Sequence, residues 1–146
     1  MKNVTQIIDI EIELMEGILA TQGKHLISTD TLKRRCIDHF VIDTGNADTE
    51  YLASIGFAQA MQSRLYAHGY RSVRKGYFIN FDRCEDINYL IAMYNNEDGD
   101  IRDKQKVIKQ IKAKLDPQIK FTDINCELII PMTEEEFMEK IMADAV

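Results

Sequence analysis

Apolar residues recur at steps of three and four along the first half of the chain, a spacing that predicts amphipathic helices. Three helices are predicted over about residues 3–20, 29–40 and 49–68. Gly69 follows the third of them in the position of a helix-ending glycine. The apolar stripes that support these helices consist of Val4, Ile7, Ile8, Ile12, Met15, Ile18 and Leu19, of Leu32, Cys36, Ile37 and Phe40, and of Leu52, Ile55, Ala58, Met61 and Leu65.

Beyond Gly69 the pattern changes from helical to extended. The segment 70–81 is rich in aromatic and β-branched residues on both sides of Arg74-Lys75-Gly76, which predicts a two-stranded hairpin. Asp82 with Glu85, and Thr133 with Glu136, have the spacing of capping boxes. The later elements are therefore predicted as a helix over about 84–95, a helix over about 100–115, a strand over about 119–130 and a last helix from 133 to about 143. The expected fold is α+β and mostly helical.

Composition narrows the class of protein. The chain has 146 residues, of which 45% are apolar and 29% charged, as expected of one folded domain with at most an appendage. No apolar run approaches the roughly 18 residues of a membrane span, and the first residues are not a secretory signal, so we expect a soluble, cytoplasmic protein. The three cysteines, Cys36, Cys84 and Cys126, are too far apart for a zinc finger or a disulfide framework. We expect no metal and no cofactor.

The distribution of charge is uneven. The formal net charge is −6, yet no Asp or Glu occurs between Tyr51 and Phe81, where about five would be expected in proportion to the 24 acids of the chain. The same stretch carries four cations, Arg64, Arg71, Arg74 and Lys75. It is therefore a local island with a charge of +4, in a chain whose other residues sum to −10. Lysine and arginine clusters of this kind dock on phosphates, because the release of counterions gives affinity without regard to sequence. The alternative is a basic surface paired with acids elsewhere in the fold.

The order of three helices followed by a hairpin resembles a winged helix-turn-helix. The resemblance covers about residues 12–115, and is carried by Leu65-Tyr66-Ala67-His68-Gly69-Tyr70 leading into Gly76-Tyr77-Phe78-Ile79. It is closest to the small DNA-binding proteins of phages and mobile elements. It implies a winged-helix DNA-binding domain over residues 1–97 and a C-terminal helix–strand–helix extension over residues 98–146. The predicted connection at about 41–48 is longer than the tight turn of a standard helix-turn-helix.

The resemblance also implies which residues meet DNA. The third helix would lie in the major groove and read bases through Gln59, Gln62 or Ser63. The tip of the wing is Ser72-Val73-Arg74-Lys75-Gly76, which we expect to be flexible and to lie on the backbone or in the minor groove. The predicted phosphate contacts, which position the protein without specifying a sequence, are made by Arg64, Arg71, Arg74 and Lys75.

The C-terminal extension adds two predictions about partners. Winged-helix proteins often dimerise through helices that follow the wing, so we expect a homodimer. The strand predicted over 119–130 would serve the same purpose by pairing with a sheet edge. The lysines of the fifth helix, Lys104, Lys106, Lys109, Lys112 and Lys114, form either a solvated helix surface or a second nucleic-acid surface.

The sequence carries no signature of an enzyme: it has no phosphate-binding glycine loop, no nucleophile elbow and no zinc-protease motif. We therefore expect a non-enzymatic DNA-binding protein, acting in transcription regulation or as an accessory factor for phage or mobile-element DNA. The alternative is a protein–protein interaction module on the same scaffold, such as a phage-encoded inhibitor of a host or defence complex. If the four cations of the island point one way, DNA is favoured. If they pair with acids of the N-terminal helix, a protein partner is favoured.

Overall fold

A computed structural model of the chain describes residues 2–44, 49–97, 99–114 and 132–146. The fold is α+β and mostly helical, as the sequence predicts, and the described residues contain a three-stranded antiparallel sheet. The elements in chain order are α1 (Val4–Gln22), β1 (Leu26–Ser28), α2 (Thr29–Thr44), α3 (Thr49–Leu52), α4 (Ile55–Ala67), β2 (Tyr70–Arg74), β3 (Tyr77–Asn80), a short 3-10 helix (Phe81–Arg83), α5 (Ile87–Asn95), α6 (Ile101–Lys114) and α7 (Glu134–Asp144).

The sheet has the order β1-β3-β2, so the return strand of the hairpin lies in the middle. Leu26 pairs with Ile79 and Ile27 pairs with Phe78 between β1 and β3. The outer edge of β1 is covered by the C-terminus, because Val146 exchanges backbone hydrogen bonds with Leu26 and Ser28 at 3.0 and 3.1 Å. The end of the described chain is thereby fixed to the sheet.

The sheet separates two hydrophobic clusters. Side chains alternate between the faces of a strand, so Ile27 and Phe78 face the cluster built by α1, α2, α3 and α4. Their neighbours Leu26 and Ile79 face the cluster built by α5, α6 and α7. The sheet is buried on both faces, and residues on either side of position 97 share the second cluster. The division into domains at that position stays a prediction.

The first large difference from the predicted elements is a break in the third helix. The segment 49–68 forms two helices, α3 and α4, which are separated at Ala53 and Ser54. Ser54 adopts an extended backbone and its hydroxyl accepts a hydrogen bond from the amide of Phe57 at 3.3 Å, which makes it the N-cap of α4. The apolar stripe continues across the break, which is why periodicity alone predicts one helix.

Three further local features of the structure differ from what the sequence predicts. Strand β1 was not predicted, since three residues are too few to show alternation. The capping box of Asp82 and Glu85 does not form: Asn80 caps the 3-10 helix and Asp86 caps α5. The predicted start of the fourth helix at residue 84 is therefore three residues early.

Other predicted boundaries are confirmed within a few residues. Thr133 caps α7 as predicted, and its hydroxyl accepts from the amide of Glu136 at 3.1 Å. The connection at residues 45–48 and the strand predicted over 119–130 lie outside the described residues. No helix in the described part of the chain combines the length and apolar character required to cross a lipid bilayer.

Candidate nucleic-acid interface

The solvent face of α4 carries the three residues that were predicted to read bases. Gln59, Gln62 and Ser63 are all exposed, whereas Phe57, Met61 and Leu65 on the opposite side are buried. This follows from the helical spacing, which puts residues three and four apart on one face. The exposed set is uncharged and, with Ala58 and Ala67 also exposed, has few bulky side chains.

Two grooves border this face of α4. We call the first the hairpin-side groove; it lies among the start of α2, α4 and the hairpin, and its lining includes Lys33, Gln62, Tyr66, Ser72 and Lys75. It contains one acid, Asp30. The second, the α6-side groove, lies between α4 and α6, and its lining includes Gln62, Tyr66, Arg71, Asp103 and Lys104. Gln62 and Tyr66 line both grooves and therefore form the ridge between them.

Arg64 faces α1 and is held there by Asp9. The guanidinium donates from Nε at 2.7 Å and from Nη2 at 3.1 Å, and His68 Nε2 lies 3.0 Å from the same carboxylate. Burial raises the pKa of Asp9, but the hydrogen bonds and charges of Arg64 and His68 outweigh it, so the pKa lies below its usual value. Arg64 thus joins α4 to the N-terminal helix.

Arg71 is fixed more completely than any other cation of the predicted island. Its Nε donates to Asp103 of α6 at 2.8 Å, and its Nη1 donates to the carbonyls of Tyr66 and Tyr70 at 3.2 and 2.7 Å. The guanidinium carbon also lies 5.0 Å from the ring centre of Tyr66 and 5.9 Å from that of Phe81. An arginine with this set of contacts acts as a structural bridge between β2 and α6.

Arg74 and Lys75 are the two cations at the end of the hairpin. Arg74 Nη2 donates to Glu134 of α7 at 2.7 Å, but the Glu134 side chain is 76% exposed. Lys75 is exposed and forms no ion pair with any described residue. Ser72, half-buried, donates its hydroxyl to the carbonyl of Arg74 at 3.0 Å. Only Lys75 of the four cations is therefore without a charged partner among the described residues.

The hairpin turn is shorter than the predicted wing tip, because only Lys75 and Gly76 lie between β2 and β3. Val73 is 4% exposed and belongs to the second cluster. The carbonyl of Gly76 accepts hydrogen bonds from the amide of Thr29 at 2.9 Å and from its hydroxyl at 3.3 Å. The turn is therefore tied to the start of α2 and forms a firm wall of the hairpin-side groove.

The carboxylates that hold the arginines were missed by the sequence analysis. Asp9, Asp103 and Glu134 lie 55, 32 and 60 residues from their partners, so no local pattern reports the pairing. A partial signal existed for Arg71. In β2 it lies opposite Ile79, whereas Ser72 lies opposite Phe78. Strand alternation therefore directs Arg71 to the side occupied by α5, α6 and α7.

The thiols show no sign of catalytic activation. Burial raises the pKa of the Cys36 thiol to about 12 and that of the Cys84 thiol to about 11, so both stay protonated near neutral pH. Cys126 lies outside the described residues. Among the residues that are described, no group of three or more His, Cys, Asp or Glu side chains has an arrangement suited to a metal ion.

A comparison of the chain with known protein families, curated proteins and solved structures finds no match in any of the three. The function is therefore inferred from the geometry of α4 and of the two grooves beside it.

Proposed function

We propose that this chain is a non-enzymatic DNA-binding module of winged-helix topology, which inserts α4 into the major groove of duplex DNA. The order α1, β1, α2, α3, α4 and hairpin supports this assignment, in which α3 is a single turn, as does the pairing of the return strand β3 with β1, a short strand between the first two helices. Gln59, Gln62 and Ser63 would face the bases.

The observation that carries the proposal is the position of the uncharged face of α4 beside two unpaired lysines. Lys33 and Lys75 line the hairpin-side groove together with Gln62, and neither forms an ion pair within the described residues. A neutral helix surface with polar side chains suits base edges, and the flanking cations suit the backbone phosphates. Since the turn is tied to Thr29, the backbone that carries Lys75 is held beside the start of α2, the helix that carries Lys33.

The arginines of the island take different parts in this proposal from those that the sequence predicted. Arg64 and Arg71 are assigned to holding α4 and β2 against α1 and α6. Arg74 keeps a place at the interface, because an ion pair with an exposed partner such as Glu134 contributes only about 0–1 kcal/mol. The closely spaced phosphates of a duplex would compete with this single carboxylate for Arg74.

A protein partner is the second candidate, and the pairing of the arginines favours it. Arg64 meets Asp9 of the N-terminal helix, which is the arrangement expected of an interaction module. Large apolar side chains are also exposed near the ends of α2 and α4: Ile42 is 84% exposed and Ile55 is 77% exposed. On this account the docking surface would be apolar and would not depend on Lys33 or Lys75.

Titration against a fluorescent random-sequence duplex at low and at moderate salt tests the proposal. We expect binding that weakens steeply with salt and that is reduced in the variant Lys33→Gln/Lys75→Gln. The matched control is Lys2→Gln/Lys24→Gln, which removes the same charge from residues that line neither groove. Absence of binding at low salt contradicts the proposal. Equal losses of duplex affinity in the two variants would contradict the assignment of the hairpin-side groove to DNA.

A further inference from the structure

Helix α6 presents a row of lysines on its outer surface. Lys106, Lys109 and Lys112 follow one another at steps of three residues and are all exposed. The opposite side of the helix is buried through Val107 and Ile111, which belong to the second cluster. The packing of α6 therefore fixes which side carries the cations.

Two acids near the start of this row are already paired, whereas Asp82, which lines the same depression as Lys106, forms no ion pair among the described residues. Asp103 accepts from Arg71, and Asp100 accepts from Arg102, whose Nη2 lies 3.1 Å from Asp100 Oδ2. Within the described parts of the chain, Lys106, Lys109 and Lys112 form no ion pair. A surface of three like charges that form no ion pair with any described residue attracts an external anion.

The row begins beside the C-terminal end of α4. Lys106 lines a shallow depression together with Tyr66, Ala67 and His68 of α4 or its cap. The contact of Arg71 with Asp103 and with the ring of Tyr66 fixes α6 in this position. Lys106, the first lysine of the row, thus lies next to the C-terminal end of the helix that carries Gln59, Gln62 and Ser63, and outside the groove that Lys33 and Lys75 line.

We propose that the lysine row of α6 is a second phosphate-contacting surface, which lies on the backbone of the duplex beside the groove that α4 enters. The inference rests on the proposed function, since it assumes that α4 faces DNA. Its physical basis is charge complementarity. A groove of duplex DNA has a polyanionic backbone on each side, and the lysine row would contact one backbone while Lys33 and Lys75 contact the other. In this proposal the lysine row makes the phosphate contacts that the sequence alone predicts for Arg64 and Arg71.

The test measures the affinity for a random-sequence duplex over a series of salt concentrations, for the wild type and for Lys106→Gln/Lys109→Gln. We expect affinity to fall about tenfold or more at low salt, and the slope of log affinity against log salt to become shallower by about 2, or one unit for each lysine. The control variant Lys2→Gln/Lys24→Gln has the same net charge and is expected to keep the wild-type slope.

The outcomes separate the two proposals. A wild type that does not bind duplex at low salt overturns the proposed function, and this inference with it. A wild type that binds, with Lys106→Gln/Lys109→Gln indistinguishable from the control variant, overturns the lysine-row assignment alone. Far-UV circular dichroism and thermal unfolding of each variant verify that the substitutions leave the fold intact.

Discussion

The guanidinium of Arg64 and the carboxylate of Asp9 join α4 to α1 by two parallel hydrogen bonds of 2.7 and 3.1 Å. His68, one turn beyond Arg64, lies 3.0 Å from the same carboxylate. The helix proposed to enter DNA is therefore oriented by a bidentate ion pair in addition to its apolar contacts.

The same arrangement occurs on the neighbouring helix. Glu11, two residues beyond Asp9, accepts from Arg35 Nε at 2.9 Å and contacts His39 Nδ1 at 2.9 Å. In both cases an arginine and a histidine four residues later hold one carboxylate of α1. The two clamps fix α1 against α2 and α4, and so determine the position of the candidate interface.

Removing the first clamp should destabilise the fold without removing any DNA contact of the proposed interface, in which Arg64 only holds α4 against α1. We expect Arg64→Gln and Asp9→Asn each to lower the free energy of unfolding by about 1 kcal/mol, after allowance for the partial exposure of both groups. Urea unfolding of the two single variants and the double variant measures the coupling. Additive losses would show that the pair contributes no interaction energy.

The clamp also predicts a dependence of stability on pH. The pKa of Asp9 is lower in the folded state than its ordinary value of 3.8, so its contribution is complete above that value and is lost as the pH falls through the folded pKa. The stability difference between the wild type and Asp9→Asn should therefore shrink over the acidic range below pH 3.8. Urea unfolding at several pH values measures it, and a constant difference across that range contradicts the account.

The fold was largely predictable because apolar residues that recur at helical spacing along the sequence are the residues that pack in the two clusters. The break before α4 was not, because a serine cap within a continuous apolar stripe has little signal of its own. Strand β1 depends on its pairing with β3, a contact between segments about 50 residues apart that no local pattern contains.

The cap of α4 gives a direct test of that break. Ser54 accepts from the amide of Phe57 and donates to the carbonyl of Tyr51 at 2.6 Å. We expect Ser54→Ala to cost about 1 kcal/mol of unfolding free energy. Ser54→Thr, which keeps the hydroxyl, should retain most of it. Thermal unfolding of both variants distinguishes a true cap from a solvent-exposed serine, for which neither change would matter.

The turn between α4 and β2 requires glycine at position 69. Gly69 has φ +88°, and an added Cβ would lie 3.3 Å from Oδ2 of Asp82. We expect Gly69→Ala to destabilise the fold by about 1–2 kcal/mol. Gly17→Ala, in the interior of α1 with no atom within 4 Å of the added Cβ, should instead stabilise it by about 0.5–1 kcal/mol. Chemical denaturation measures the free energy of unfolding of both variants. Equal changes in the two would contradict the requirement for glycine at position 69.

The site was predictable only in part. The exposed positions on α4 follow from the helical period, so Gln59, Gln62 and Ser63 were placed correctly on its solvent side. The charge island was a feature of the sequence and not of the surface, because each of its arginines meets an acid from a distant segment. Local composition gives the number of charges but not their partners.

The most direct test of the account is duplex binding after negative charge is placed on the outer face of α4. Gln59→Glu/Ser63→Glu adds two carboxylates at adjacent turns of that face. The control Thr5→Glu/Ala143→Glu adds the same charge at exposed positions of α1 and α7. If α4 lies against DNA, the first variant loses binding to a random-sequence duplex at low salt and the control retains it. Equal binding by the two variants would contradict the placement of α4 on DNA.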